Sequence, residues 1–293
     1  MKYGRAELER AFGDRYASFK LLGKGGEGAV FAVWDRVKKV DLALKISVDN
    51  GDPGQHERFE SEYQILAVTR SDRLVRVFDH GRAVILQTDG QALRHFWYSM
   101  EKCDASLRQT FRSLPLPDRL SVVLQMLDGL ALLHAKHIAH RDIKPENLFL
   151  AATPQGGRSV KIGDFGIATV TRSAPNSVGG NVYGSPAYLA PERWEHEADD
   201  DWRPADQYAA GVTMYEILSL GQPPLDFSQD YHRAHTHGPV RPLQIPELRG
   251  WRLPSVDSVL KRMLAKQPSW RHPDVASCKR ELEAALLQDG VTR

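Results

Sequence analysis

The stretch His140-Arg141-Asp142-Ile143-Lys144-Pro145-Glu146-Asn147 places acids, bases and an amide in one short loop. Apolar runs border it, LSVVLQMLDGLALLHA upstream and LFL directly downstream. Polar groups brought to the edge of a core need partners. Asp142 and Asn147 both offer side-chain oxygens, and a further carboxylate, Asp164, follows the strand-like VKIG to open Asp164-Phe165-Gly166. Two carboxylates and one amide at strand ends suit Mg2+, which takes oxygen ligands and few protein contacts when phosphates complete its shell. The plainer alternative for each aspartate is a turn cap.

GKGGEGAV, residues 23–30, fits G-x-G-x-x-G-x-V. A dinucleotide-binding turn shares the start of that pattern but opens a helix. Here the β-rich AVFAVW follows, and then a second strand, LALKIS, that carries Lys45. In such a strand–turn–strand flap, Gly23, Gly25 and Gly28 let backbone N–H groups approach phosphate oxygens with no Cβ in the way. A plain glycine-turn hairpin is the alternative. A lysine facing inward needs an anion. The helical segment 56–68 offers Glu60 and Glu62, and Glu62 lies one turn before Leu66 so that both can face a core.

These groups need elements to position them. Residues 5–12 read as a short amphipathic helix, and FKLL, AVFAVW, LALKIS, LVRVFDHG, AVILQT and RHFWYSME read as strands. The first hundred residues are therefore mostly β, with one main helix at 56–68. Residues 118–136 keep one apolar face, NLFL and SVKIGD make two short strands, and DQYAAGVTMYEILSL is apolar enough for a buried helix. Helices are also expected near 255–265 and 274–288. Residues 166–190, rich in Gly, Ser, Asn and Pro, form a long loop of the kind that is usually functional. EHEADDDWR reads as a solvated loop. HRAHTHG reads as a loop too, since His235 and His237 lack a third metal ligand nearby.

The chain has 293 residues, 42% of them hydrophobic and 26% charged, with a net charge of +2. That composition supports a sizeable core and gives no reason to expect a nucleic-acid or membrane partner. Two cysteines, Cys103 and Cys278, point to a reducing compartment rather than a disulfide framework. The N-terminal MKYGRAELERAFGDRY is charged throughout, unlike a signal peptide. No apolar run approaches the roughly 18 residues needed to span a bilayer. A cytoplasmic location is expected.

Taken in order, the glycine flap, Lys45, Glu62, His140-Arg141-Asp142, Asn147, Asp164-Phe165-Gly166, Ala190-Pro191-Glu192, Asp206 and Arg271 resemble the eukaryotic-type serine/threonine protein kinase family, from about Tyr16 to about Leu287. Lys144 and GSPAYLAPE are similar to the serine/threonine branch. The resemblance implies an α+β, bilobal kinase-like fold, with a β-rich N-lobe over residues 1–101 and a mostly helical C-lobe over 102–293. It implies transfer of a phosphoryl group from ATP, with Mg2+ or Mn2+, to serine or threonine hydroxyls of protein substrates. By that pattern Asp142 accepts or orients the hydroxyl proton and Lys144 steadies the γ-phosphate. Asn147 and Asp164 hold metal. Lys45, held by Glu62, grips the α- and β-phosphates.

The same pattern places adenine between Val30 and Ala43 above and Phe149 below. Leu22 lies at the rim and Met100 at the back, while Glu101 and Cys103 offer backbone groups. Phe149 is bulkier than the aliphatic residue common there, and Cys103 reads as a linker residue rather than a reactive thiol. Glu146 resembles a position that can favour basic residues near the acceptor, and Glu192 and Arg271 are expected to form a buried ion pair. Arg141 suggests a switch by loop phosphorylation. The position most often phosphorylated in relatives falls on Asn181, so Ser177, or else Ser173 or Thr171, is the expected autophosphorylation site. Ser185 is excluded, because it resembles a residue that orients the catalytic loop. A regulator acting in trans is expected. The rival readings are a small-molecule kinase of the same broad fold, against which GSPAYLAPE counts, and a pseudokinase scaffold, against which the full catalytic set counts.

Overall fold

Apolar residues alternate along the strands that carry Phe31 and Val33, and Leu42, Leu44 and Ile46, so the sheet they form must bury that face. The computed structural model describes residues 4–25, 28–47, 54–86, 90–153, 156–165, 169–170, 184–194 and 201–291. The chain divides into two units, Met1–Asp104 with Asp164–Gly166, and Ala105–Gly163 with Ile167–Arg293.

The first unit runs α1 (Arg5–Phe12), β1 (Tyr16–Lys24), β2 (Gly28–Asp35), β3 (Val40–Ser47), α2 (Gln55–Val68), β4 (Val77–Leu86) and β5 (Ala92–Glu101). Its strands form an antiparallel sheet in the order β1-β2-β3-β5-β4. Val30 pairs with Lys45, Ala43 with Met100, and Lys45 with Tyr98. Residues directly opposite in an antiparallel pair share a face, as do residues two apart on a strand. Val30, Ala43, Lys45, Tyr98 and Met100 therefore line one face. The opposite face, with Phe31, Val33, Leu42, Leu44 and Ile46, is covered by Leu8 and Phe12 of α1 together with Tyr16 and Phe19. Phe12 meets the Trp97 indole edge-on at a centroid distance of 5.8 Å. Leu8 and Phe12 stand one helical turn apart, which is what lets so short a helix cover the sheet.

One strand differs from the sequence reading. LVRVFDHG and AVILQT read as separate strands, yet β4 runs as one from Val77 to Leu86. Gly81 serves a close approach rather than a turn. A Cβ there would meet the Trp97 ring at 3.0 Å, so any larger residue would push the indole away from the strand.

The second unit runs β6 (Ala105–Ser106), α3 (Leu107–Thr110), α4 (Leu116–Ala135), β7 (Ile138–Ala139), β8 (Leu148–Ala152), β9 (Arg158–Ile162), β10 (Thr169–Val170), α5 (Pro191–Trp194), α6 (Arg203–Leu218), α7 (Tyr231–His237), α8 (Pro254–Met263) and α9 (Val275–Gln288). As its apolar sequence requires, α6 is buried without a break from Ala205 to Tyr215, and α4 packs against it, α9 and β9. The antiparallel β8–β9 hairpin carries Asn147 just before its start and Gly163 just after its end, and the Gly163 N–H donates to the Asn147 carbonyl at 3.0 Å.

The histidine segment is a helix rather than the expected loop. Asp230 caps α7 by accepting from the Arg233 N–H at 2.8 Å, and Ala234 and His235 face the core. His235 Nδ1 lies 2.8 Å from the Tyr208 hydroxyl. Burial lowers the His235 pKa to about 4, with Lys266 adding to the effect, so the ring is neutral at pH 7. Cys103 is half-buried, Cys278 is buried, and no disulfide joins them. No helix among the described residues is long and apolar enough to cross a membrane.

Phe12→Ala is expected to destabilise the protein by about 3–5 kcal/mol in chemical denaturation, because it opens a cavity between α1 and the sheet. The exposed Arg10→Ala should change it by less than about 0.5 kcal/mol. Equal effects from the two would show that α1 does not cover the sheet.

Candidate active site

In the first unit, Lys45 lies on the sheet face described above, and its side chain is only 8% exposed. A buried ammonium needs compensation. Nζ donates to Glu62 at 2.9 and 2.6 Å and to Asp164 Oδ1 at 3.1 Å. Glu62 comes from the buried face of α2, whereas Glu60 points outward to Arg82, which resolves the two alternatives. Desolvation opposes the charge on Lys45, but Glu62, Tyr98 and Asp164 outweigh it and hold the ammonium well above the usual lysine range. Glu62 Oε1 also accepts from the Phe165 backbone N–H at 3.1 Å. One carboxylate thus ties the lysine to the segment that presents Asp164. Asp164 itself sits in the left-handed region at φ 61°, which a short polar side chain tolerates best, and nearly half of its side chain is exposed.

The glycines of the flap divide by cause. A Cβ on Gly28 would strike the Ile46 carbonyl oxygen at 2.7 Å, so the close approach of β2 to β3 requires that glycine. A Cβ on Gly23 or Gly25 would meet nothing within 4 Å. No packing within the described residues calls for glycine at either position, and the Gly25 N–H closes the flap by donating to the Gly28 carbonyl at 2.9 Å. Residues 26–27 of the flap lie outside the described residues. Leu22 occupies a β-bulge between Leu21 and Gly23 and is half exposed. Ala43 is buried, while Val30 and Met100 beside it on the Lys45 face are half-buried. Glu101 uses its N–H on the Arg76 carbonyl at 2.8 Å, which narrows its expected part in binding to its carbonyl. Cys103 follows β5 in the first unit.

In the second unit, the buried Asp206 of α6 organises the catalytic loop. Its Oδ2 accepts from the His140 N–H at 2.7 Å and its Oδ1 from the Arg141 N–H at 2.7 Å. His134, at the end of α4, lies 2.9 Å from the same carboxylate. Arg141 takes φ 69°, and its guanidinium stacks on Trp202 at 4.4 Å. His140 Nε2 lies 3.1 Å from the Gly163 carbonyl. The backbone turned by these contacts presents Asp142, whose own carboxylate is fully engaged. Oδ1 accepts from the Ser185 N–H at 3.1 Å and the Ser185 hydroxyl at 2.9 Å. Oδ2 accepts from Lys144 Nζ at 2.5 Å and Asn147 Nδ2 at 3.0 Å. Lys144 also donates to Ser185 Oγ at 2.6 Å.

Asn147 is 97% removed from solvent, and its amide nitrogen also donates to the Asp142 carbonyl at 2.9 Å. With both amide hydrogens on Asp142, its oxygen is the acceptor that the side chain has left to offer. In their own units, Asn147 carries an amide oxygen and Asp164 an exposed carboxylate, each a donor of the hard kind that divalent cations such as Mg2+ take. Phe149 sits half-buried on β8, opposite Ser106 and Lys161.

Glu192 and Arg271 meet as a bidentate pair, with both N–O distances 2.7 Å, and the guanidinium is fully buried. Arg271 also donates to the carbonyls of Ala265 at 3.0 Å and Pro204 at 2.8 Å, so nearly all its donors are satisfied. The structure adds His134 and Arg108 to the residues named from sequence. No local pattern marks either, because their partners lie far along the chain. Gly166, Thr171, Ser173, Ser177 and Asn181, named above for the loop, lie outside the described residues.

A family model described as the protein kinase domain matches residues 16–280. The chain belongs to the protein kinase family. A probable serine/threonine-protein kinase of Streptomyces coelicolor is 30% identical over 302 aligned residues, covering 96% of this chain and 41% of that protein. Serine/threonine-protein kinase A of Synechocystis is 32% identical, covering 94% of this chain and 54% of the relative. The kinase PknB of Mycobacterium tuberculosis is 31% identical, with 92% and 42% covered. This kinase chain thus spans about half the length of the relatives it matches.

Arg271→Ala should cost about 3–5 kcal/mol of stability, since it leaves the Glu192 carboxylate without its buried partner. The double replacement Glu192→Leu with Arg271→Met should cost less than Arg271→Ala alone. Denaturant titration of both variants checks the order, and a costlier double variant would refute it.

Proposed function

We propose that this kinase transfers the γ-phosphoryl group of ATP to serine or threonine hydroxyls of protein substrates. The carrying observation is the Asp142 carboxylate, held by Ser185, Lys144 and Asn147 so that both oxygens are fixed in place. An ionised carboxylate so positioned accepts a hydrogen bond from an incoming hydroxyl that takes the place of one of these four donors. Asp142 receives that proton as the hydroxyl oxygen bonds to the γ-phosphorus and the bond to the ADP oxygen breaks. Lys144, already beside Asp142, offsets the negative charge carried through transfer. Lys45, held charged by Glu62, binds phosphate oxygens, and Gly23 and Gly25 put no Cβ in the way beside them. A divalent cation, with Mg2+ the expected ion, would be held by Asp164 and Asn147 and would supply charge neutralisation for the phosphates.

Adenine is assigned to Leu22, Val30, Ala43, Met100, Glu101, Cys103 and Phe149. A protein acceptor is supported by the anchoring of GSPAYLAPE at three points, Ser185 to Asp142, Tyr188 to Glu216 and Glu192 to Arg271. A segment pinned so firmly serves as a ledge for a peptide. Two cysteines without a disulfide and the need for ATP suit the cytoplasm. Autophosphorylation at Ser177, Ser173 or Thr171 belongs to the same reading.

Asp142→Asn keeps the volume but removes the acceptor charge. It should lower kcat by at least about 100-fold on a mixture of generic protein acceptors, with ATP binding retained. A kcat within about tenfold of the parent would remove Asp142 from the chemistry.

Lys45→Met should raise the Kd for ATP and stop turnover, while Glu62→Gln should lose less, since it releases the lysine without deleting it. Calorimetric ATP binding alongside turnover separates the two, and an inactive Glu62→Gln with normal Lys45→Met would reverse the assignment.

A further inference from the structure

Beside Lys144 and Ser185, within the second unit, lies a cavity of about 440 Å3 with an apolar wall that includes Val212, Pro224 and Phe227. Lys144 and Ser185 both bond Asp142. A protein segment whose hydroxyl meets Asp142 therefore has a neighbouring side chain in reach of this cavity. Glu146 and Glu216 also line it, and two carboxylates on their own would select an arginine or lysine.

They are already occupied. Arg108, on α3, donates Nε to Glu146 Oε1 at 2.7 Å and Nη2 to Glu146 Oε2 at 3.3 Å. The same guanidinium donates Nη1 to Glu216 Oε1 and Nη2 to Glu216 Oε2 at 3.2 Å. Nη2 also reaches the Tyr188 hydroxyl at 2.6 Å, and that hydroxyl donates to Glu216 Oε2 at 2.5 Å. Burial pushes the Tyr188 hydroxyl well up, with Glu216 adding to it, so Tyr188 stays protonated as a donor. The planar fork of an arginine matches two carboxylates in a way that a lysine could not. Glu216 is the buried member, at 13% exposure, and Glu146 the exposed one, at 43%. A cation arriving on a substrate would have to break charge-assisted bonds to the desolvated carboxylate and leave Arg108 without them. With Lys144, the cavity's lining carries two cations and two carboxylates, so no net charge draws a base in.

We propose that Arg108 is an internal counter-ion that fills the cation subsite of this cavity, so that the kinase selects acceptor segments with an uncharged, apolar side chain there and rejects arginine and lysine. The sequence reading, in which Glu146 favours basic residues, is thereby reversed for this chain. The proposal rests on the protein-kinase reading of the site.

The test compares peptide pairs that differ only in leucine or arginine at each position flanking the acceptor, with the full chain and with Arg108→Gln and Arg108→Leu. The readout is the ratio of kcat/KM within a pair, which does not depend on how much of a preparation is folded. The parent should prefer leucine at one position, and both variants should shift that ratio toward arginine by about tenfold or more. An arginine preference in the parent, or an unmoved ratio in a folded variant, would overturn the proposal. Calorimetric binding of the same pairs provides an arm that needs no turnover. If no peptide is phosphorylated, the phosphoryl-transfer reading fails. The subsite then stands if arginine peptides gain affinity in the variants, and falls if they do not.

Discussion

The buried carboxylate of Asp206 is the constraint on which the catalytic loop depends. It accepts from two consecutive backbone N–H groups, those of His140 and Arg141, and from the ring of His134. Two successive amides reach one carboxylate only if the backbone turns sharply between them, and Arg141 takes a left-handed φ of 69° there. Such a conformation costs roughly 1–3 kcal/mol and persists where its surroundings over-determine it. Here the surroundings are the fully buried helix that carries Asp206 and the ring of Trp202 against the Arg141 guanidinium. The direction in which Asp142 points is therefore set by a residue outside its own loop.

A similar logic governs the first unit. Glu62 holds the Lys45 ammonium with one hand and the Phe165 amide with the other. Because a single carboxylate carries both, displacement of α2 would release the lysine and the backbone that presents Asp164 together. The pair is worth keeping less for net stability, which buried ion pairs seldom improve, than for a unique arrangement of charge.

The motif residues were legible in the sequence because each motif is local. Asp142 and Asn147 are five residues apart and bond one another directly. The Lys45–Glu62 pair was legible because strand and helix periodicity point both side chains inward. What escaped the sequence are contacts whose partners are remote, such as Arg108 with Glu216, 108 residues away. Glu146 viewed alone suggested an open acidic subsite, and only the folded chain shows the guanidinium seated on it. Gly81 and the α7 segment misled for local reasons. A glycine that admits an indole looks like a turn, and a helix of seven residues capped by Asp230 offers too little periodicity to declare itself. Residues 5–12 were readable as amphipathic, but nothing in the sequence said which surface they would cover.

That helix makes the folding unit longer than the motif shared with relatives. The match to the family model begins at residue 16, whereas Leu8 and Phe12 are as much a part of the core as Leu44 or Ile46. A fragment trimmed to the shared region would bare the sheet surface formed by Phe19, Phe31, Val33 and Trp97, an apolar patch of the kind that drives self-association. For this chain, a boundary drawn at the start of the family model would remove part of the core, and the physical boundary lies before the helix.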